Sequence, residues 1–383
     1  MKRRMATRLN IAYKLAPARL DWMEASIPKL NKVIDVDHLH DGALQIIRVI
    51  RPEWAQERLH YKIFTDGITN RLIGVYRDDM KDMILIRVYG ENTDLFIDRQ
   101  MEFRNMRTMY KANLSAPIYC TFTNGISYGF TPGKVLDERM VRDTKISALI
   151  AENMAKMHTL KPMVSSVSTE FPTAEPHQCL FPGIDKFLGL IASAFTVKLS
   201  CQKQKCFCYL DNLQEQANFL KAELQMLNSP IVFCHNDLLL KNILYDESQN
   251  KVTFIDFEYS DYNYQAFDIA NHFCEFCGVD NFEPSLYPSK DFQLRWLRIY
   301  LQKWNSHNDI TPTAAELEQS VESLYDVVSR FALASHLYWG LWAVVQANNS
   351  SIDFNYLGFA HKRLEEYFKR KHELFGKNNH HKH

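Results

Sequence analysis

Two segments determine the fold prediction: residues 231–244, IVFCHNDLLLKNIL, and residues 253–258, TFIDFE. In the first segment an apolar run is followed by His-x-Asp, and an Asn follows that Asp at the fifth position. In the second segment an apolar run ends in another Asp. Short apolar runs bounded by turn residues are typical of buried strands. The pattern therefore places Asp237, Asn242 and Asp256 on loops at strand ends.

These three residues have the order and spacing of a phosphotransferase active site. Phosphoryl transfer from a nucleotide needs one carboxylate to orient the attacking hydroxyl, and an amide and a second carboxylate to bind magnesium. Any one of the three alone would more often be a turn or cap residue. Together they predict a kinase with Asp237 as the catalytic base and Asn242 and Asp256 as Mg2+ ligands. His235 belongs to the same catalytic motif, where the sequence favours a role in fixing the loop.

Composition is that of a globular protein large enough for two lobes. The chain has 383 residues, 46% hydrophobic and 23% charged, with 45 basic and 45 acidic side chains. This balance gives no electrostatic reason to expect a nucleic-acid partner, and no window approaches the roughly 20 apolar residues of a membrane helix. Eight cysteines without a secretory signal favour reduced thiols in a cytoplasmic enzyme. A zinc site built from Cys201, Cys206 and Cys208 with Cys274 and Cys277 is only weakly supported.

The two ends of the chain are polar and basic. Residues 1–20 contain Lys and Arg but no acidic residue, and we expect residues 1–40 to form a basic N-terminal extension. A mitochondrial presequence is the alternative. Residues 376–383 are predicted to be a disordered tail.

Hydrophobic periodicity divides the rest of the chain into two lobes of an α+β fold. Residues 41–131 are predicted to form a small β-rich lobe and residues 132–375 a larger, mainly helical lobe. The predicted strands cover residues 59–65, 71–76, 83–89, 118–122 and 126–130. The predicted helices cover residues 94–113, 144–160, 207–227, 292–305, 314–346 and 354–372. This is the two-lobed protein-kinase-like layout.

Nucleotide phosphates have candidate partners in the β-rich lobe. The turn after its first strand contains Gly67, Thr69 and Asn70, whose backbone amides could surround phosphate oxygens. Arg87 is an isolated charge inside an apolar strand, and interior charges usually have a partner. We expect Arg87 to neutralise the phosphates and Glu102, in the following helix, to pair with it. A purely structural salt bridge is the alternative.

At this level of detail the chain resembles the choline/ethanolamine kinase family, within the wider superfamily of aminoglycoside-type phosphotransferases and eukaryotic-like kinases. The matching segments are FTDGITN (64–70), IRVYG (86–90), CHNDLLLKN (234–242), FIDFEYS (254–260), YNY (262–264), DIANHFCEF (268–276) and SHLYWGLWA (335–343). The resemblance spans roughly residues 55–372. It implies an aminoglycoside phosphotransferase-like fold, ATP with Mg2+, and an amino-alcohol acceptor. It also implies that Asp268 braces the catalytic loop.

An ammonium-bearing acceptor needs a pocket of its own. Trp339 and Trp342 are three residues apart and face the same way on a helix, and a Trp face with a carboxylate recognises an ammonium group well. The candidate substrate-binding residues are Tyr259, Glu275, Trp339 and Trp342, with Phe354, Tyr356 and Phe359 behind them. Without the resemblance, a Trp pair in an apolar helix would more often be core.

The turn at Asp66 and the run over residues 238–241 resemble the ethanolamine branch more than the choline branch. The resemblance therefore implies transfer of the ATP γ-phosphoryl group to ethanolamine in the cytoplasm, giving phosphoethanolamine, the first step of phosphatidylethanolamine synthesis. The alternatives are a choline or dual kinase and an inactive kinase-like scaffold, against which the intact catalytic and metal residues argue. The sequence leaves open whether the protein forms a homodimer.

Overall fold

The computed structural model describes residues 27–54, 56–64, 71–90, 98–161, 177–195, 212–350 and 354–376. By its internal contacts the chain divides into two compact units. The first unit is Met1–Tyr89 with Ile118–Gly129, and the second is Gly90–Pro117 with Phe130–His383.

Several predictions concern residues outside those that the structure describes. They are the basic residues 1–26, the phosphate-binding turn with Gly67, Thr69 and Asn70, the cysteines Cys201, Cys206 and Cys208, and the tail from residue 377. The other five cysteines are free thiols, and Cys274 and Cys277 are buried.

The first unit is built on one sheet. Its elements are β1 (Lys29–Leu30), α1 (Leu39–Ile50), β2 (His60–Phe64), β3 (Arg71–Tyr76), β4 (Ile84–Val88), β5 (Ile118–Phe122) and β6 (Gly125–Gly129). The strand order is β1-β5-β6-β4-β3-β2. All neighbours are antiparallel except β1 and β5, which are parallel.

Helix α1 packs its apolar face on this sheet. Leu39, Ala43, Ile46, Ile47 and Ile50 recur at helical spacing and form one buried cluster with residues of β3, β4 and β5. The sequence analysis did not predict α1. Strand β1 lies inside the range 1–40 that we expected to be an extension, so the sheet begins earlier than the predicted boundary. A strand of two residues is too short to give an alternating pattern.

The second unit is mainly helical and carries two small sheets. Its elements are α2 (Arg99–Lys111), β7 (Lys134–Val135), α3 (Thr144–His158), α4 (Leu180–Phe195), α5 (Leu213–Gln225), β8 (Ile231–Cys234), β9 (Ile243–Asp246), β10 (Lys251–Phe254), β11 (Asp261–Tyr264), α6 (Gln265–Glu275), α7 (Lys290–His307), α8 (Ala314–Asn349) and α9 (Tyr356–Phe375). Strand β8 pairs with β11, and β9 pairs with both β10 and β7.

Helix α2 groups with this second unit, whereas the predicted boundary at residue 131 placed it in the first lobe. The C-terminal end of α2 is fixed by Lys156, whose Nζ donates to the carbonyl oxygen of Ala112 at 2.9 Å.

Helix α8 begins with a capping box between Thr313 and Glu316, which satisfies free backbone groups at its N-terminus. Among the described residues, no helix combines the length and apolarity needed to cross a membrane.

Candidate active site

The catalytic motif occupies the loop that follows β8. Asn236 adopts a φ of 66°, in the left-handed region that Asn tolerates better than most residues. The chain then turns tightly, because the backbone N–H of Leu239 donates to the Asp237 carbonyl oxygen at 2.9 Å and that of Asn242 donates to the Leu239 carbonyl oxygen at 3.0 Å. This turn brings the side chains of Asp237 and Asn242 to the same end of the hairpin β9–β10.

Asp268, on α6, fixes the start of the loop. Its carboxylate oxygens accept the backbone N–H groups of His235 at 2.9 Å and Asn236 at 2.7 Å, and the Nε2–H of His158 at 3.0 Å. Burial alone would raise the pKa of Asp268, but the hydrogen bond and charge of His158 hold it below the ordinary value. An ionised carboxylate with these partners is what a loop brace requires.

His235 contacts backbone and rings. Its Nε2–H donates to the carbonyl oxygen of Ile255 at 3.0 Å, which ties the catalytic loop to the residue before Asp256. Its ring lies 5.4 Å from that of Phe257. Burial lowers the pKa of His235, so the imidazole is neutral at physiological pH. These contacts favour loop fixation over proton transfer.

Asn242 is oriented by Asp237. Its Nδ2 donates to the Asp237 carbonyl oxygen at 2.8 Å and to the carboxylate Oδ2 at 3.3 Å. Because the Nδ2 group is used in this way, the side-chain Oδ1 is the atom left to bind a cation. Asp256 follows β10 at a φ of 65°. A carboxylate and an amide oxygen are hard ligands of the kind that Mg2+ takes.

Asp256 lies next to the acidic side chains of Glu258 and Glu102. Carboxylate oxygens of Asp256, Glu258 and Glu102 lie within 4.8 Å of one another. The Nη1 of Arg99 donates to Glu102 at 3.0 Å and to Glu258 at 3.4 Å. The sequence analysis missed Glu258 and Arg99, although Glu258 is only two positions after Asp256. The concentration of oxygen ligands fits a magnesium site, where the bound ion would offset charge on the phosphates.

Negative charge also surrounds Asp237. Desolvation, followed by the charges of Glu275, Asp256 and Glu258, raises the pKa of Asp237 well above its ordinary value. A carboxylate in such surroundings is stabilised by cations. The site therefore favours both a metal ion and a positively charged acceptor.

The predicted phosphate residue Arg87 lies on β4 in the first unit and is 6% exposed. Its guanidinium carbon is 5.8 Å from the centroid of the Tyr128 ring. Glu102, the predicted partner of Arg87, belongs to α2 in the second unit. The Arg87–Glu102 pair stays a prediction.

The predicted acceptor aromatics lie together in the second unit. The Trp339 ring centroid is 5.5 Å from that of Tyr259 and 5.5 Å from that of Trp342. The Nε1–H of Trp342 donates to the Tyr259 hydroxyl at 3.1 Å. The Tyr356 ring lies 5.8 Å from Trp342, and Phe354 lies 4.9 Å from Tyr356.

The rings of Tyr259, Trp339 and Trp342 are called the aromatic wall here. The charge of the catalytic Asp237 acts on one of them, Tyr259. Desolvation, then the charges of Glu258 and Asp237, raises the pKa of Tyr259 well above its ordinary value. Phe359, the last of the predicted aromatics, lies 5.9 Å from Phe354.

Glu275, at the end of α6, is 4% exposed and forms an ion pair that the sequence analysis missed. Its Oε1 accepts from the Nη1 of Arg363 at 2.9 Å. A signal for Arg363 was present in the sequence, because it falls on the apolar face of α9 with Tyr356, Phe359 and Tyr367. A charge on such a face implies a buried partner.

The fold and the site define a phosphotransferase of the protein-kinase-like class, as predicted. The sequence profile of the choline/ethanolamine kinase family matches residues 61–368. The chain belongs to this family, and the prediction of the family is confirmed.

Individual relatives agree with the profile. Ethanolamine kinase 2 of Mus musculus is 41% identical over 348 residues, which cover 91% of this chain and 85% of the relative. Ethanolamine kinase 1 of Mus musculus is 40% identical over 358 residues, covering 91% of this chain and 94% of the relative. Among solved structures, an ethanolamine kinase of Plasmodium vivax superposes with a TM-score of 0.75 at 30% identity, covering 88% of this chain and 90% of the other. A choline kinase of Cryptosporidium parvum gives a TM-score of 0.70 at 25% identity, with coverages of 88% and 97%.

Proposed function

We propose that the protein transfers the γ-phosphoryl group of ATP to the hydroxyl of ethanolamine, giving phosphoethanolamine, as the first step of phosphatidylethanolamine synthesis in the cytoplasm. The observation that carries the proposal is the cluster of negative charge around Asp237, bounded by the aromatic wall of Tyr259, Trp339 and Trp342. A small cation with a hydroxyl group suits this environment. The identity to ethanolamine kinases over nine-tenths of the chain supports the same acceptor.

The roles of the chain's own residues follow from their contacts. Asp237 accepts or orients the acceptor's hydroxyl proton as the oxygen attacks the γ-phosphorus, and the bond from that phosphorus to the bridging oxygen breaks to release ADP. Asn242, through its Oδ1, and Asp256, through its carboxylate, would hold Mg2+, which would supply positive charge for the phosphate oxygens. Asp268 keeps the loop backbone in place, so that Asp237 does not have to be reoriented in each turnover. Arg87 is the proposed partner of the nucleotide phosphates.

The preference for ethanolamine over choline rests on hydrogen-bonding capacity. A primary ammonium has N–H donors, whereas a quaternary ammonium has none and relies on aromatic faces and charge. Glu275 is an acceptor that only the primary ammonium can use fully. Choline remains the second candidate, because the wall formed by Tyr259, Trp339 and Trp342 suits either cation.

The test is ATP consumption by the purified protein with ethanolamine, N-methylethanolamine, N,N-dimethylethanolamine and choline, each with and without Mg2+. We expect kcat/KM to be highest for ethanolamine and to decline with each added methyl group. Equal values for ethanolamine and choline would replace the proposal with a dual kinase. Lack of turnover with all four acceptors would overturn it in favour of an inactive scaffold.

A further inference from the structure

A buried guanidinium lies behind the acceptor site. Arg363 is 0% exposed, and the centroids of the Phe282 and Phe359 rings lie 5.4 and 5.6 Å from its guanidinium carbon. Its Nη1 donates to the Glu275 Oε1 at 2.9 Å, and its Nη2 donates to the Oγ of Ser335 at 2.9 Å and to the Ser335 carbonyl oxygen at 3.2 Å. Three hydrogen bonds and two rings therefore fix the orientation of the guanidinium.

This arrangement leaves the two oxygens of Glu275 in different situations. Oε1 is occupied by Arg363, whereas Oε2 has no hydrogen-bond partner among the residues that the structure describes. Burial raises the pKa of Glu275, and the charge and hydrogen bond of Arg363 limit the rise. Arg363 therefore supports an ionised carboxylate with one oxygen available.

The charge balance has a consequence for ligand choice. The Glu275–Arg363 pair is neutral as a unit, so its net Coulomb attraction for an approaching cation is small compared with that of a lone carboxylate. Its hydrogen-bond acceptor at Oε2 is retained. A primary ammonium can use that acceptor, whereas a quaternary ammonium cannot.

The same guanidinium is connected to the catalytic loop. The Oγ of Ser335 donates to Asn271 Oδ1 at 2.8 Å, and the Nε1–H of Trp339 donates to the same oxygen at 2.7 Å. The Nδ2 of Asn271 donates to the carbonyl oxygen of Asn236 at 3.2 Å, immediately before the catalytic Asp. Buried hydrogen bonds thus connect Arg363 to both the aromatic wall and the loop.

We propose that Arg363 is a positioning residue that determines acceptor choice. It holds Glu275 by one carboxylate oxygen, directs the other toward the ammonium of the acceptor, and removes the unselective attraction that a free carboxylate would offer to any cation. Arg363 thereby favours a primary over a quaternary amino alcohol. This inference rests on the proposed function, because it concerns the acceptor of that same site.

The test compares Arg363→Met with a matched substitution, Arg370→Met. Arg370 lies on the same helix, pairs with Glu366 at 2.7 Å and stacks over Tyr287 at 3.8 Å, and neither of these partners is an acceptor-site residue. Steady-state kinetics are measured at saturating ATP with ethanolamine and with choline. We expect Arg363→Met to lower the ethanolamine-to-choline ratio of kcat/KM about tenfold, through KM more than kcat, which corresponds to about 1.4 kcal/mol.

Arg370→Met should reduce stability and leave that ratio unchanged. Arg363→Lys should give an intermediate ratio, because one ammonium cannot reproduce the planar fork that reaches both Glu275 and Ser335. An unchanged ratio in folded Arg363→Met, or an equal change in Arg370→Met, would overturn the inference.

A double-mutant cycle tests whether Arg363 acts through Glu275. In the Glu275→Gln background, Arg363→Met should not lower the ratio further, and independent, additive effects would refute the mechanism. If Arg363→Met does not fold, Ser335→Ala removes one acceptor of the guanidinium and keeps the Ser335 carbonyl oxygen as the other, so it should lower the ratio by a smaller factor, about two- to fivefold. A ratio unchanged by Ser335→Ala would then refute it.

Turnover by the wild-type protein distinguishes a failure of the proposed function from a failure of the role given to Arg363. Lack of turnover with any amino alcohol would refute the proposed function itself. Turnover of ethanolamine, with an acceptor ratio that does not respond to Arg363, would refute only the role of Arg363.

Discussion

Replacing Asp237 with Asn should lower turnover and raise the free energy of unfolding at the same time. The amide keeps an oxygen that can accept from Asn242, so the loop conformation should persist. It cannot take the hydroxyl proton of the acceptor, and loss of a general base lowers turnover by about 10² or more. Function and stability therefore change in opposite directions.

The magnitude of the stability gain follows from the neighbouring charges. Glu275, Glu258 and Asp256 all raise the pKa of Asp237. Desolvation is the largest cause of the raised pKa, and Arg363 offsets part of the charge of Glu275 by pairing with it. Removing that repulsion and the desolvation of Asp237 should add about 1–2 kcal/mol to the free energy of unfolding.

The assay is thermal and urea unfolding without Mg2+, alongside ATP consumption with ethanolamine. Asp326→Asn is the control, because Asp326 is an exposed residue of α8 and its replacement should change neither quantity. Near-native turnover in folded Asp237→Asn would refute the catalytic role. A lower free energy of unfolding would refute the account of the charges.

Three further substitutions and a pH titration test other parts of the site and fold. Asp256→Ala should abolish turnover and remove the Mg2+ dependence of ATP binding, measured by calorimetry with and without metal; an unaltered metal response would exclude Asp256 as a ligand. Trp342→Leu should raise the acceptor KM roughly 5- to 30-fold, as loss of a cation–π contact of about 1–2 kcal/mol requires, and leave the ATP KM unchanged; equal losses for both substrates would mean that Trp342 is core. Asp268→Asn replaces one acceptor oxygen with a donor facing backbone N–H groups, and should lower the free energy of unfolding in urea by about 3 kcal/mol. An unchanged free energy of unfolding would contradict the bracing role of Asp268. Burial lowers the pKa of His272 to about 4, so the unfolded chain takes up the proton first and stability should fall by about 3 kcal/mol between pH 6.5 and 4. His272→Gln should reduce that loss of stability. If the variant has the same pH dependence of the free energy of unfolding as the wild type, His272 is not its cause.

Local sequence patterns predicted the parts of the fold and site that depend on neighbouring residues. Asp237, Asn242 and Asp256 are each placed by a short strand or turn next to them, so their spacing along the chain carried the necessary information. The strands β3 and β5 coincide with their predicted ranges for the same reason. The boundaries of the other predicted elements differ by a few residues, which is usual for frayed ends.

Ion pairs between residues that are far apart in the sequence could not be predicted in this way. Glu275 and Arg363 are 88 positions apart, and nothing local to either residue specifies the other. The same holds for Arg99 and Glu258, which are 159 positions apart. Such pairs are fixed by the packing of whole helices and loops. The periodicity of a single element carries no information about that packing.

The hydrogen bond from Trp339 to Asn271 bears on how this enzyme could be redesigned. Asn271 also supports the loop before the catalytic Asp, so enlarging the pocket at position 339 removes one of the two hydrogen bonds, from Trp339 and Ser335, that hold the Asn271 Oδ1. Among the residues that the structure describes, the Nε1–H of Trp342 has its hydrogen bond with the Tyr259 hydroxyl, at the pocket wall and not in the loop support. Libraries that seek bulkier amino alcohols should therefore yield active variants at position 342, whereas position 339 should yield variants with damaged turnover.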